Sequence, residues 1–342
     1  MFHADSYGYR PGKSAKQAIA VTRERCWRYA WVVEFDVEGA FDNLDHDLLM
    51  KAVRLHIKDR WALLYIERWL KAPLETSDGQ VVGRVKGTPQ GGVISPLLMN
   101  LFMNYAFDRW MQKTRPECPF ARYADDAVAH CRSQAEAEQL LTAIGERMDQ
   151  CKLTMHPEKS KVVYCKNSNR PKDYPVIAFT FLGFTFKPRM SRNKQGTIFT
   201  GFLPAASREA VIRMLRTIKS WQLQRQTPAT IEELSGLYNP ILRGWWNYYG
   251  SFYPSMLSRV AFQVDRKLIS SMGSSEIQTS GTTSAAQCPM AAAGGPSASI
   301  VVYPLAAFVV SCLDNGSCMT RECHVQFCKR PRVQSPRPTY HR

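Results

Sequence analysis

Apolar residues follow two rhythms along this chain. The run Trp31-Val32-Val33-Glu34-Phe35-Asp36-Val37 has the apolar character of a buried strand and delivers Asp36 at its end. Phe120-Ala121 and Ala127-Val128-Ala129 flank Tyr123-Ala124-Asp125-Asp126, which predicts a hairpin with the acids at its tight turn. Val162-Val163-Tyr164 and Phe179 to Phe186 predict further strands. Between them the spacing is helical. Asn43 or Asp45 caps a helix carrying Leu48, Leu49, Ala52, Val53 and Leu55. Ser95 and Pro96 are the expected cap and first position of a helix through Leu97, Leu98, Leu101, Phe102, Tyr105, Ala106 and Trp110. Ser133 and Glu136 form a capping-box pattern before Leu140, Leu141, Ile144 and Met148. From Ser207 the pattern turns helical and basic, with a second helix proposed by Thr230 and Glu233 and a third from Pro254 to Ile269. Mixed strands and helices followed by helices alone give an α+β class.

Composition narrows the partners. The chain has 342 residues, enough for two domains, and a formal net charge of +16. A surface this basic favours a polyanion, although a membrane surface would also attract it. No apolar run reaches the roughly 18 residues a spanning helix needs, and Ile300 to Val310 is broken by Pro304. The N-terminus lacks a basic-then-apolar signal pattern. The cysteines before residue 170 are isolated and mostly flanked by core-like residues, which suits a reducing compartment. The expected location is cytoplasmic or nucleoid-associated, without membrane partners.

The acids carry the chemistry. Adjacent half-buried carboxylates raise each other's pKa, and a divalent cation is the simplest way to hold them together. Oxygen-only ligands suit Mg²⁺. Taken alone, an Asp-Asp turn is ordinarily a solvated turn. Asp36 at a strand end changes that balance, because facing the pair it could hold two metal ions about 4 Å apart, the spacing that clamps the attacking and leaving oxygens of a phosphoryl transfer. Asp42, Asp45 and Asp47 fit better as helix N-terminal charges.

Six blocks in order resemble those of group II intron reverse transcriptases, also called maturases. They are Ser6 to Ser14, Glu34 to Asp47, Gly87-Thr88-Pro89-Gln90-Gly91-Gly92-Val93-Ile94-Ser95-Pro96, Arg122 to Asp126, His156 to Lys161, and Phe181-Leu182-Gly183-Phe184. The resemblance implies a right-hand polymerase palm with partial fingers over residues 1–186. An α-helical thumb, the maturase domain X, would follow over 187–270. It implies RNA-directed DNA polymerisation, in which a primer 3′-hydroxyl attacks the α-phosphate of a deoxynucleoside triphosphate and pyrophosphate leaves. Partners would be an RNA template, group II intron RNA and a DNA primer. Asp36, Asp125 and Asp126 would be catalytic and would hold two Mg²⁺ ions together with the Val37 carbonyl.

The same resemblance assigns substrate contacts. Phe41 would close against the sugar's 2′ position, where a rigid ring excludes a ribose hydroxyl; as a residue it reads equally as a core Phe. Gln90 would contact the nucleotide, with Gly91 letting the backbone approach. Lys159 would lie near the catalytic strands or the nucleic-acid backbone, and alone reads equally as a surface lysine. Arg10, with Arg208, Arg213, Arg216 and Lys219 of the basic helix, would contact nucleic acid. Trp245 and Tyr249 read as core before contact.

Two departures from the pattern set further expectations. The blocks that precede Ser6 in the family are absent from this sequence, which predicts truncated fingers and weakened triphosphate binding. After Ile269 the character changes: residues 271–342 read as a disordered, non-homologous tail, consistent with a frameshift. Cys312, Cys318, Cys323 and Cys328 with His324 lack the paired spacing of a zinc site. The alternatives to a working polymerase are an intron RNA-binding splicing factor that has lost activity, an inactive gene fragment, and a retron or CRISPR-associated relative.

Overall fold

The computed structural model describes residues 2–279, apart from 76, 77, 90, 194 and 226–230. It divides into two compact units, Met1–Ile212 and Arg213–Arg342.

The first unit opens with α1 (Ala15–Arg28), started by Ser14 in a reciprocal capping box with Gln17, and β1 (Trp31–Phe35). A short α2 (Ala40–Asn43) leads into α3 (His46–His56), whose N-cap is Asp45, with its side chain accepting the Leu48 N–H. Next come α4 (Arg60–Lys71) and the small pair β2 (Leu74–Glu75) and β3 (Val81–Val82). Helix α5 (Ser95–Met103) passes through a π-helical turn, Asn104–Asp108, into α6 (Arg109–Thr114). Its N-cap is Ile94, not the expected Ser95. Ser95 lies one position inside, and its hydroxyl donates to the Pro89 carbonyl at 2.7 Å.

The hairpin β4 (Phe120–Tyr123) and β5 (Asp126–Cys131) follows, then α7 (Gln134–Gln150), where both bonds of the Ser133–Glu136 box form. After β6 (Lys161–Tyr164), the stretch Phe179 to Phe186 is a hairpin rather than one strand. Strand β7 (Phe179–Phe181) turns through Leu182 and Gly183 into β8 (Phe184–Arg192), which pairs with β9 (Ile198–Ala206). Leu182 and Gly183 both have positive φ, 52° and 77°. A two-residue turn of that hand matches the twist of the flanking strands. This β7-β8-β9 sheet falls within the first compact unit, so the residues just after 186 are strand before any helix begins.

The central sheet has the order β4-β5-β1-β6, all neighbours antiparallel. On one face, Trp31, Val33, Phe35, Phe120, Ala127 and Ala129 join Leu49 and Val53 of α3, Phe102 of α5 and Ile144 of α7 in the main core. The alternate positions Val32, Ala121, Val128 and His130 are also buried, with α1 against β4 and β5. Strands covered on both faces lose the in-out alternation, which is why β1 reads as one apolar run. Residues 5–7 run along the outer edge of β4: Arg122 N–H donates to the Asp5 carbonyl and Tyr7 N–H to the Arg122 carbonyl.

In the second unit the described helices are the remainder of α8 (Arg208–Ser220), α9 (Ile231–Tyr249) and α10 (Ser258–Thr279), the last preceded by a 3-10 turn, Pro254–Leu257. Helix α10 continues past the expected segment end at 270. Trp246 is buried, whereas Trp245 is half-buried and stacks parallel to Trp221 at 5.9 Å. Thr230, the cysteines from 312 to 328, and most of the tail lie outside the described residues. Among the described residues no helix is long and apolar enough to cross a membrane.

Candidate active site

The β1–β5 register pairs Phe35 with Ala127. One step further along both strands puts Asp36 opposite Asp126. Even-numbered positions of the two strands share one sheet face, so Glu34 lies on that face too, diagonal to Asp126. Tyr123 pairs with Asp126, which leaves Ala124 and Asp125 as a two-residue turn. Asp125 is therefore in the turn, while Asp126 is the first residue of β5. Ala124 takes φ +59°, a left-handed conformation that costs a non-glycine residue energy and gathers at functional sites.

Burial dominates the electrostatics. It pushes the Asp126 carboxyl up to about 7, and the neighbouring Asp125, Glu34 and Asp36 add to the rise. Only the Leu182 N–H, 3.4 Å from Asp126 Oδ2, opposes it. Asp125 is raised by burial and by Asp36, and Glu34 mainly by burial. Hard carboxylate oxygens that crowd each other and resist ionisation are the donor set a divalent cation relieves. The three aspartates offer that donor chemistry. Lys159 supplies one positive charge, its Nζ lying 2.8 Å from Asp36 Oδ2. It is set there by the segment 154–160, which follows the β1 exit: Glu38 N–H donates to Thr154, and His156 N–H to the Asp36 carbonyl at 2.8 Å.

The substrate-side residues sit nearby in part. Val37 is buried and bridges to Met155. Phe41 is half-buried against the main core, and its carbonyl accepts the Thr88 N–H at 2.7 Å. Gly87 N–H donates to Leu44, so Gly87 and Thr88 are tied to the α2 segment. Only glycine fits at 87: φ is +79°, and a Cβ would lie 2.5 Å from the Asp42 carbonyl oxygen. Gly91 is exposed with φ +80° and open space where a Cβ would stand. Gln90 lies outside the described residues. Arg10 is turned inward, donating to the carbonyls of His3 and Ser6, and so is committed to its own loop. Arg208, Arg213, Arg216 and Lys219 are exposed on α8, opposite the buried Ala210, Val211, Met214 and Ile218.

Residues 1–186 match the family model described as reverse transcriptase (RNA-dependent DNA polymerase). The chain belongs to the reverse transcriptase family. Residues 211–274 match the maturase-specific domain of group II introns, so both parts of the resemblance hold. Members of this family use divalent metal ions, in keeping with the three aspartates. Among curated relatives, protein YkfC of Escherichia coli is 28% identical over 228 residues, covering 56% of this chain and 57% of YkfC. The group II intron-encoded protein LtrA of Lactococcus lactis is 36% identical over 104 residues, 30% of this chain and 17% of LtrA. The chain thus spans about half of one relative and under a fifth of the other. A telomerase from Candida albicans, solved with a fragment of telomeric RNA, superposes with a TM-score of 0.44 at 12% identity, covering 79% of this chain and 48% of that one.

Sequence reasoning missed three residues that adjoin the candidate site. Glu34 was visible only as a polar break in an apolar strand. Ser160 accepts the Asp36 N–H at 3.4 Å. Arg122 is fully buried beneath the Ala124–Asp125 turn. Its signal was a charged residue inside an otherwise apolar strand, which is almost never buried unpaired.

Proposed function

We propose that this chain is an RNA-directed DNA polymerase that also binds group II intron RNA as a maturase. The reaction joins a primer 3′-oxygen to the α-phosphorus of a deoxynucleoside triphosphate and releases pyrophosphate, the hydroxyl proton passing to solvent. The observation that carries this reading is the meeting of Asp36, Asp125 and Asp126 at one end of the β1–β5 pair, on a register that both strands fix.

Asp36, Asp125, Asp126 and the Val37 carbonyl would hold two Mg²⁺ ions. Such ions, when bound, neutralise developing phosphate charge and favour the ionised hydroxyl. The chain's own contribution is orientation. The turn presents Asp125, β5 fixes Asp126, and Lys159 holds Asp36. Phe41, beside the tethered Gly87 and Thr88, would screen the sugar 2′ position. Gln90 and Gly91 would line the nucleotide's approach, and the exposed face of α8 would take RNA phosphates. The described cysteines are free thiols, which supports a cytoplasmic setting.

The test is primer extension on an RNA template with Mg²⁺, comparing the chain with Asp125→Ala. Extension lost in the variant supports the reading. Folded protein that binds intron RNA yet extends nothing moves the function to RNA binding alone.

A further inference from the structure

Arg122 holds the catalytic turn from the face of the sheet opposite the carboxylates. Its side chain is fully buried, and each of its five N–H donors has an acceptor. Nε and one terminal nitrogen grip Asp108 Oδ1 and Oδ2, both at 2.6 Å. The second hydrogen on that nitrogen reaches Ser6 Oγ at 2.9 Å. The other nitrogen donates to Asn100 Oδ1 at 3.0 Å and to the Ala124 carbonyl at 2.6 Å. Ala124 is the strained residue immediately before Asp125. A charge-assisted bond to its carbonyl acts directly on the conformation that aims the acid.

Two other features converge on the same residue. Gly8 lies so close that a Cβ there would stand 2.5 Å from the Ala124 nitrogen, and the Gly8 carbonyl accepts Asn100 Nδ2 at 2.7 Å. The π-helical turn explains how Asn100 and Asp108 serve one partner. Eight residues of unbroken α-helix would turn about 800°, leaving the two side chains about 80° apart. The Arg109 N–H bonds back to the Asn104 carbonyl, five residues earlier. The extra residue absorbed there brings the two directions to within about 20°. Turns of this kind gather at functional sites.

We infer that Arg122, oriented by Asp108, Asn100 and Ser6, is a positioning residue that fixes Ala124 and thereby aims Asp125 and Asp126 at their cations. The role rests on the polymerase reading above, and the test separates the two. In the full chain, Arg122→Lys and Asn100→Ala are compared with wild type and with Asp125→Ala. Free Mn²⁺ is titrated by paramagnetic resonance without substrate, thermal unfolding is recorded, and kcat and KM for template–primer are measured. Arg122→Lys is expected to weaken Mn²⁺ binding and lower kcat at least tenfold, with KM for template–primer within twofold and unfolding still cooperative. Asn100→Ala, which spares the Arg122–Asp108 pair, should move both quantities severalfold in the same direction and decides the matter where Arg122→Lys does not fold. Folded variants with wild-type Mn²⁺ affinity and kcat, or losses that only track the unfolded fraction, overturn the inference. If wild type binds no Mn²⁺ and Asp125→Ala changes nothing, it is the polymerase reading that fails.

Discussion

Glu34 Oε1 accepts the backbone N–H of Thr180 at 2.9 Å, tying β1 to β7 across 146 residues of chain. Two positions on, the Leu182 N–H points at Asp126 Oδ2. The palm carboxylates therefore hold the Phe181–Phe184 turn as well as flanking the candidate metal site. Lys161, 3.2 Å from Glu34 Oε2, balances the charge. Glu34→Ala should free the turn and raise the KM for template–primer severalfold, with a smaller change in kcat. Glu34→Gln, which keeps an acceptor, should fall between it and wild type in steady-state extension assays.

Gly87 predicts a sharp stability effect. An alanine there meets both a positive φ and the Asp42 carbonyl. Gly87→Ala should cost about 2 kcal/mol or more, read as a lower midpoint in urea at unchanged slope. Gly91→Ala, with open space at the same φ sign, should cost less.

His130 predicts acid lability. Burial holds its imidazole down to about 3, with Arg25 adding to the effect. Unfolding lets the ring return to its ordinary value of about 6.5. Between these values the unfolded chain binds a proton that the folded chain refuses, so stability falls as pH drops from about 6.5 toward 3. His130→Gln should flatten that part of a stability–pH curve; an unchanged slope would remove His130 as its source.

Asp265 predicts the opposite sign in the second unit. Burial raises its carboxyl to about 6, and its Oδ1 is buried without a hydrogen-bond partner. Its cost to the fold appears as pH rises from about 4 through 6. Asp265→Asn should raise the melting temperature at pH 8 and leave it unchanged near pH 3.

The basic face of α8 predicts salt behaviour. Replacing Arg213, Arg216 and Lys219 with alanine should weaken binding of single-stranded RNA and reduce the slope of log affinity against log salt by about 2, near 0.7 per lost phosphate contact. Filter binding across a salt series reads both.

The signals legible in the sequence were local ones. Asp45 and the Ser133–Glu136 box announce helix starts because the capping partners stand three residues apart. The two acidic sites announce themselves because the apolar runs around them are the strands that carry them. Ser95 misled because its hydroxyl found a stronger use on Pro89, which no helix-start rule contains. The turn at Leu182 was hidden because leucine rarely adopts positive φ, and the usual Asn-Gly or Asp-Gly mark is missing. Arg10 carries the charge expected of a phosphate contact, yet nearby carbonyls claim it. Of the Arg122 cluster only Arg122 itself left a mark, as a charge inside an apolar strand. Its members come from Ser6, Asn100, Asp108 and Arg122 itself, and nothing in their spacing says they meet.

The π-helical turn has a consequence for how this chain can vary in length. Loops on the surface usually absorb a lost residue, whereas residues 104–108 form the one described stretch where a loss would tidy the local geometry. A single deletion there would restore a regular helix and leave the aspartate seven residues after Asn100, still within about 20° of its direction. A regular helix that kept every residue would instead turn Asp108 about 80° away and strand a buried guanidinium, so at this chain length the irregularity is itself under structural constraint.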